Sequence, residues 1–140
     1  MRYNRGMELP DIISEPGKDI ITLREDFIDV VWDGAQNADK VRQSNVEALG
    51  AVEKLQGSGK PVLLSLHFQH HPAMPNLGAF REVLKMFRAA NFKRVVISGD
   101  VSSRMMSLVS TIVSSFDKEV EITYIKDRSE ALKWLLSAQS

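Results

Sequence analysis

The sequence contains no cysteine, so disulfides, thiol nucleophiles and thiolate metal sites are excluded together. An excess of charge of one sign is also missing. Its 18 Lys and Arg balance 18 Asp and Glu, which argues against a dedicated nucleic-acid binder, since such domains carry a basic stripe. No stretch approaches the roughly 20 apolar residues that span a bilayer. Met1–Pro10 mixes charged and polar residues without an apolar centre, so no signal peptide is expected there, and the expected location is the cytoplasm. What remains is 44% hydrophobic over 140 residues, enough to bury one core without staples.

The order of hydrophobic patterns sets the architecture. Residues 1–18 carry two prolines and two glycines among mixed charges and read as an N-terminal arm preceding one α/β domain over 19–138. Asp19–Leu23 and Phe27–Trp32 are joined by the charged Arg24-Glu25-Asp26 and read as a β-hairpin. Ile28, Val30 and Trp32 share one face by the two-residue period. Asn37 is placed to cap a helix ending near Gln56, whose buried stripe is Val41, Ala48, Val52 and Leu55. Gly57-Ser58-Gly59 stops it.

Pro61–Phe68 is apolar on both faces apart from Ser65 and His67, the pattern of a central parallel strand covered on both sides. The stretch 69–76, with two prolines and two histidines, is expected to be a loop. A helix over Leu77–Asn91 burying Phe80, Leu84 and Phe87 follows, then the strand Arg94–Ser98. The helix Ser102–Phe116 has an apolar stripe of Met105, Leu108, Val109, Ile112 and Phe116. After the strand Glu121–Lys126, Asp127 stands three residues before Glu130 and opens the last helix as a capping box. Strands alternating with helices imply a mostly parallel sheet of about five strands with four helices.

In the hairpin Leu23–Asp33, the strand Pro61–Phe68, the strand and turn Val95–Asp100 and the terminus Val120–Leu136, the chain resembles the STAS-like proteins. The resemblance is to their SpoIIAA-like branch, the fold of the bacterial anti-sigma-factor antagonists. It implies a small regulatory or ligand-binding module that works through contact. Regulatory members are switched by phosphorylation of a Ser or Thr in the turn before the second helix. The matching stretch Phe68–Leu77 contains neither, so that switch does not carry over. The branch is also related in shape to lipid-binding CRAL-TRIO domains.

Two groups of residues stand out as candidate sites. His67, His70 and His71 are the only histidines, and Asp100 could approach them, because ligands of open α/β sheets bind beyond the carboxyl ends of the strands. Clustered imidazoles suit metals, but adjacent side chains in an extended loop diverge and a third protein ligand is missing from the neighbourhood. No metal or other cofactor is therefore expected. Ser102, Ser103 and Arg104 follow Asp100 where a helix begins, a place that holds an anion or simply a helix cap. The caps explain this stretch more economically, and no nucleotide loop or nucleophile elbow is present.

The second group is a helix face. Between Arg104 and Asp117 no residue is charged. Met106, Ser107, Ser110, Thr111, Val113 and Ser114 would let another surface approach without desolvating charge. The favoured reading is a non-enzymatic interaction module with a protein partner or a second copy of itself. One alternative is a binder of a small apolar or lipid-like ligand lined by Met74, Met86, Met105 and Met106. A second is a small enzyme built on His67, His70, His71 and Asp100.

Overall fold

The computed structural model describes residues 17–73, 77–116 and 120–137. Nearly all of the N-terminal arm, and Met74, lie outside them. So do the side chains of His71, Ile112, Val113 and Phe116.

The chain runs β1 (Ile20–Leu23), β2 (Ile28–Ala35), α1 (Ala38–Gly57), β3 (Leu63–Ala73), α2 (Leu77–Ala89), β4 (Arg94–Gly99), α3 (Ser103–Phe116), β5 (Glu121–Tyr124) and α4 (Arg128–Leu136). The five strands are ordered as in the sequence. β1 is antiparallel to β2, and β2 to β5 are parallel to their neighbours. The hairpin is present, and β3 and β4 are interior.

This order decides how the faces are covered. Three successive crossovers all step the same way across the sheet, and right-handed crossovers that do so place their helices on one side. Accordingly α1, α2 and α3 cover one face and pack Val41, Val52, Val83, Met86 and Met105 on Ile28, Val30, Trp32, Leu64, Leu66, Phe68, Val95 and Ile97. α4 covers the other face alone, with Ala131, Leu132, Leu135 and Leu136 against Phe27, Leu63 and Val96. On the three-helix side the Trp32 indole donates to Ser44 Oγ at 2.9 Å, so its one polar atom is satisfied where the ring is completely buried.

The caps follow the sequence. The Asn37 side chain accepts from the Lys40 amide, and Asp127 accepts from the Glu130 amide. Two expectations need correction. β3 does not stop at Phe68 but runs to Ala73, because β2 lengthens beside it and pairs Asp33 with Gln69 and Ala35 with Ala73 across a bulge. The buried stripe of α2 is also turned: Ala79, Val83, Met86 and Phe87 are deepest, while Phe80 and Leu84 are only partly buried. The difference arises because α2 also leans on α1, where Asn45 Nδ2 donates to the Glu82 carbonyl at 2.7 Å.

β4 ends at Gly99, which has φ +101. A Cβ there would lie 2.0 Å from the Phe68 carbonyl oxygen. Both the left-handed backbone and the close approach require glycine. Gly99→Ala is expected to destabilise the fold by at least about 2 kcal/mol. Urea unfolding checks this, and an unchanged midpoint would contradict the close approach of β3 and β4.

Candidate functional site

Alternation along the strands assigns the site to one side of the sheet. Phe27, Leu63 and Val96 face α4, so Asp29, Val31, Asp33, Ser65, His67, Gln69 and Ser98 face that side too. Register places Asp29 beside Ser65 and His67 beside Ser98. α4 covers the apolar row, and the polar rows begin where the helix starts, at Arg128.

Arg128 is the centre of this region. Its guanidinium Nη2 donates to Asp29 Oδ2 at 2.6 Å, and Arg24 Nη2 reaches the same oxygen at 3.3 Å. Asp29 is 2% exposed and Arg128 9%. His67 Nδ1 and Ser98 Oγ lie 2.8 Å apart. Burial lowers the His67 pKa to about 4, and the Arg128 charge adds to this while Asp29 and Asp100 partly oppose it. The imidazole is therefore neutral at pH 7.

A second cluster closes the carboxyl ends of β2 and β3. The Asp33 carboxylate accepts from the Gly17 amide at 2.9 Å, from Gln69 Nε2 at 2.8 Å and from His70 Nδ1 at 2.5 Å. Burial alone would raise its pKa. The hydrogen bonds from Gly17, His70 and Gln69, with the His70 charge, outweigh this and hold it at about 2. His70 has φ +55, a rare conformation for a residue with a side chain. It interrupts the strand alternation and lets the ring meet Asp33. Below, Asp19 accepts from the Asp33 amide and from Gln36 Nε2. Burial raises its pKa, against the opposing pull of those hydrogen bonds and Lys40.

The structure thus divides the residues singled out in the sequence. His67 joins Ser98 and the Asp29–Arg128 pair, and His70 joins Asp33. Asp100 is exposed and lies 3.6 Å from Lys126 Nζ. Ser102 Oγ accepts from the Met105 amide at 3.2 Å, so it caps α3. Ser103 and Arg104 are exposed. Among the described residues no three His, Asp or Glu side chains stand as a metal-binding group. Ser98 is fully buried, and its hydroxyl is paired with His67 Nδ1. The arrangement is suited to hydrogen bonding and charge recognition.

Arg24, Asp29, Asp33 and Arg128 escaped the sequence reading. Their signals were present: a lone carboxylate between Ile28 and Val30, and a cation in the first turn of a helix, where the helix dipole disfavours one.

No family model matches the chain, and no curated protein sequence matches it. A solved structure does. It is an uncharacterized protein of the DUF3478 family with a SpoIIAA-like fold from Shewanella loihica PV-4, at a TM-score of 0.56 and 21% identity over 84% of this chain and 92% of that one. The fold is STAS/SpoIIAA-like. At this identity the likeness is one of fold alone.

The lowered His67 pKa sets a pH window. The unfolded chain protonates this imidazole near its ordinary 6.5 and the folded chain only at about 4. Between those values the unfolded state binds more protons, so stability falls as pH drops through the window and levels off below it. Asp33 acts lower: its stabilising ionisation is fully present above 3.8 and lost toward about 2. Thermal melts from pH 7.5 to 4.5 are expected to show a falling midpoint that is flatter in His67→Gln. Parallel curves would contradict a desolvated His67.

Proposed function

We propose that the chain is a non-enzymatic regulatory module that works by contact, with the outer face of α3 meeting a second copy of itself. The observation that carries this reading is the absence of charge on that helix after Arg104 in its first turn. Ser107, Ser110, Thr111 and Ser114 are exposed, with Met106 partly buried at the edge of their face; the Val113 side chain lies outside the described residues. The hydroxyls of Thr111 and Ser115 donate back to the carbonyls of Ser107 and Thr111 at 3.0 and 2.9 Å. They hold no outward charge and already have partners, so their burial carries little desolvation penalty.

Self-pairing is favoured by symmetry. In a two-fold interface the same patch meets itself, and any net charge at its centre meets its like. The other helices expose charge: Arg42, Glu47, Glu53 and Lys54 on α1, Arg81, Lys85 and Arg88 on α2, and Glu130 and Lys133 on α4. α3 is suited to meet its own image. With no Ser or Thr in Phe68–Leu77, regulation in this reading comes from occupancy of a surface rather than from phosphorylation at that turn.

An apolar ligand is less well supported. The space between α2, α3 and the sheet, lined by Phe80, Val83, Met105, Leu108 and the buried Trp32, measures about 20 Å³. That accommodates a water-sized sphere, not an acyl chain. No helix of the described residues is long and apolar enough to cross a membrane.

The test is Ser107→Glu combined with Ser114→Lys, which leaves net charge unchanged but requires two charges to be desolvated on contact. The double variant is expected to fold as the parent does and to lose self-association in sedimentation across a concentration series. If both proteins are equally monomeric, α3 is not a homodimer surface.

A further inference from the structure

The α4 side of the sheet holds positive charge and buried hydrogen-bonding groups that the protein itself leaves unused. Two guanidiniums, Arg24 and Arg128, meet one carboxylate oxygen of Asp29. Arg128 is 9% exposed, yet its Nε and Nη1 have no partner among the described residues. Ser65, paired with Asp29 in register and fully buried, has an unpartnered hydroxyl. Buried polar groups are nearly always hydrogen-bonded, and a charged donor without a partner is destabilising.

We propose that Arg128, Ser65 and His67 form a binding site for a small oxyanion, the carboxylate or phosphate group of a metabolite that carries a neighbouring hydroxyl. Two features converge on an anion. The guanidinium supplies charge-assisted donors, which bind carboxylates and phosphates most strongly. His67 has its Nδ1 occupied by Ser98. When the Ser98 hydroxyl donates to Nδ1, the hydrogen of the neutral ring sits on Nε2 and is donated to the ligand.

The neighbouring hydroxyl follows from Asp29. Its Oδ1 is buried and also lacks a partner. A bare oxyanion would leave that acceptor unsatisfied and feel its repulsion. A hydroxyl beside the oxyanion donates to it, as in a hydroxy acid or a sugar phosphate. A cation is disfavoured because two guanidiniums meet the Asp29 carboxylate, while Asp100, which also acts on His67, is exposed and lies 3.6 Å from Lys126 Nζ. The site lies across the sheet from α3 and is independent of the contact proposed there.

The experiment follows the side-chain Nε–H resonance of Arg128 in the intact ¹⁵N-labelled protein, titrated with ethyl phosphate, glycerol phosphate, lactate and acetate. The expected result is a saturable shift with glycerol phosphate or lactate, at least about tenfold tighter than the matching hydroxyl-free probe. The stronger of the two decides between a phosphate and a carboxylate. Arg128→Lys is expected to weaken binding at least about tenfold, since a point charge replaces a fork of donors. Ser65→Ala removes only an unpartnered hydroxyl, so it keeps the fold and is expected to weaken binding several-fold. Absence of any saturable shift at Arg128 overturns the proposal, as does equal affinity in parent and Ser65→Ala. The α3 double variant is expected to bind like the parent, so failure of one proposal leaves the other standing.

Discussion

Each connection between the parallel strands steps in the same direction across the sheet, and the handedness of those connections then places α1, α2 and α3 together. The remaining face receives α4, nine residues long. A helix of that length spans roughly 13 Å and cannot cover the strands from end to end. It covers Phe27, Leu63 and Val96, and the next rows must be finished by something other than a hydrophobic core. The polar side chains of this face are thus a consequence of topology before they are a matter of function.

The Asp29–Arg128 pair belongs to that solution. Its members are 99 positions apart, so it ties the end of the chain to the opening hairpin. A buried ion pair is often no more stabilising than apolar residues of the same volume. Here it fixes position: Arg128 can meet Asp29 only when α4 starts at one place over the sheet. Arg94 supports the other end of the helix, with its guanidinium 4.5 Å from the centre of the Trp134 ring and Nη1 donating to the Trp134 carbonyl at 2.6 Å. Two arginines therefore hold a helix whose apolar contacts are few.

Local patterns carried most of the architecture. The alternation of Ile28, Val30 and Trp32, the caps at Asn37 and Asp127 and the doubly apolar run after Pro61 are all effects of neighbouring residues, and the sequence displays them directly. The extension of β3 through His70 was hidden because it depends on β2 lengthening beside it, and prolines and paired histidines argue locally for a loop. The phase of α2 was hidden for a related reason. Its packing partner is α1 as well as the sheet, so periodicity alone mistook which ridge lies deepest. Of the candidate site, His67 was legible as a polar residue in a buried strand. Arg128 was not, because what gives it meaning is Asp29, and only the fold brings them together.

The two tryptophans stand on opposite faces of the sheet, and this gives the molecule two optical reporters. Trp32 is fully buried, edge-on to Phe68 at 5.4 Å and bonded to Ser44, in surroundings that favour short-wavelength emission. Trp134 is only partly buried beneath Arg94, so its emission lies further to the red and is open to soluble quenchers. The red part of the spectrum therefore follows α4 and the blue part follows the three-helix side. Loosening of α4 ahead of the main core would show as a loss of coincidence between the two signals, read from the intrinsic fluorescence of an unmodified chain.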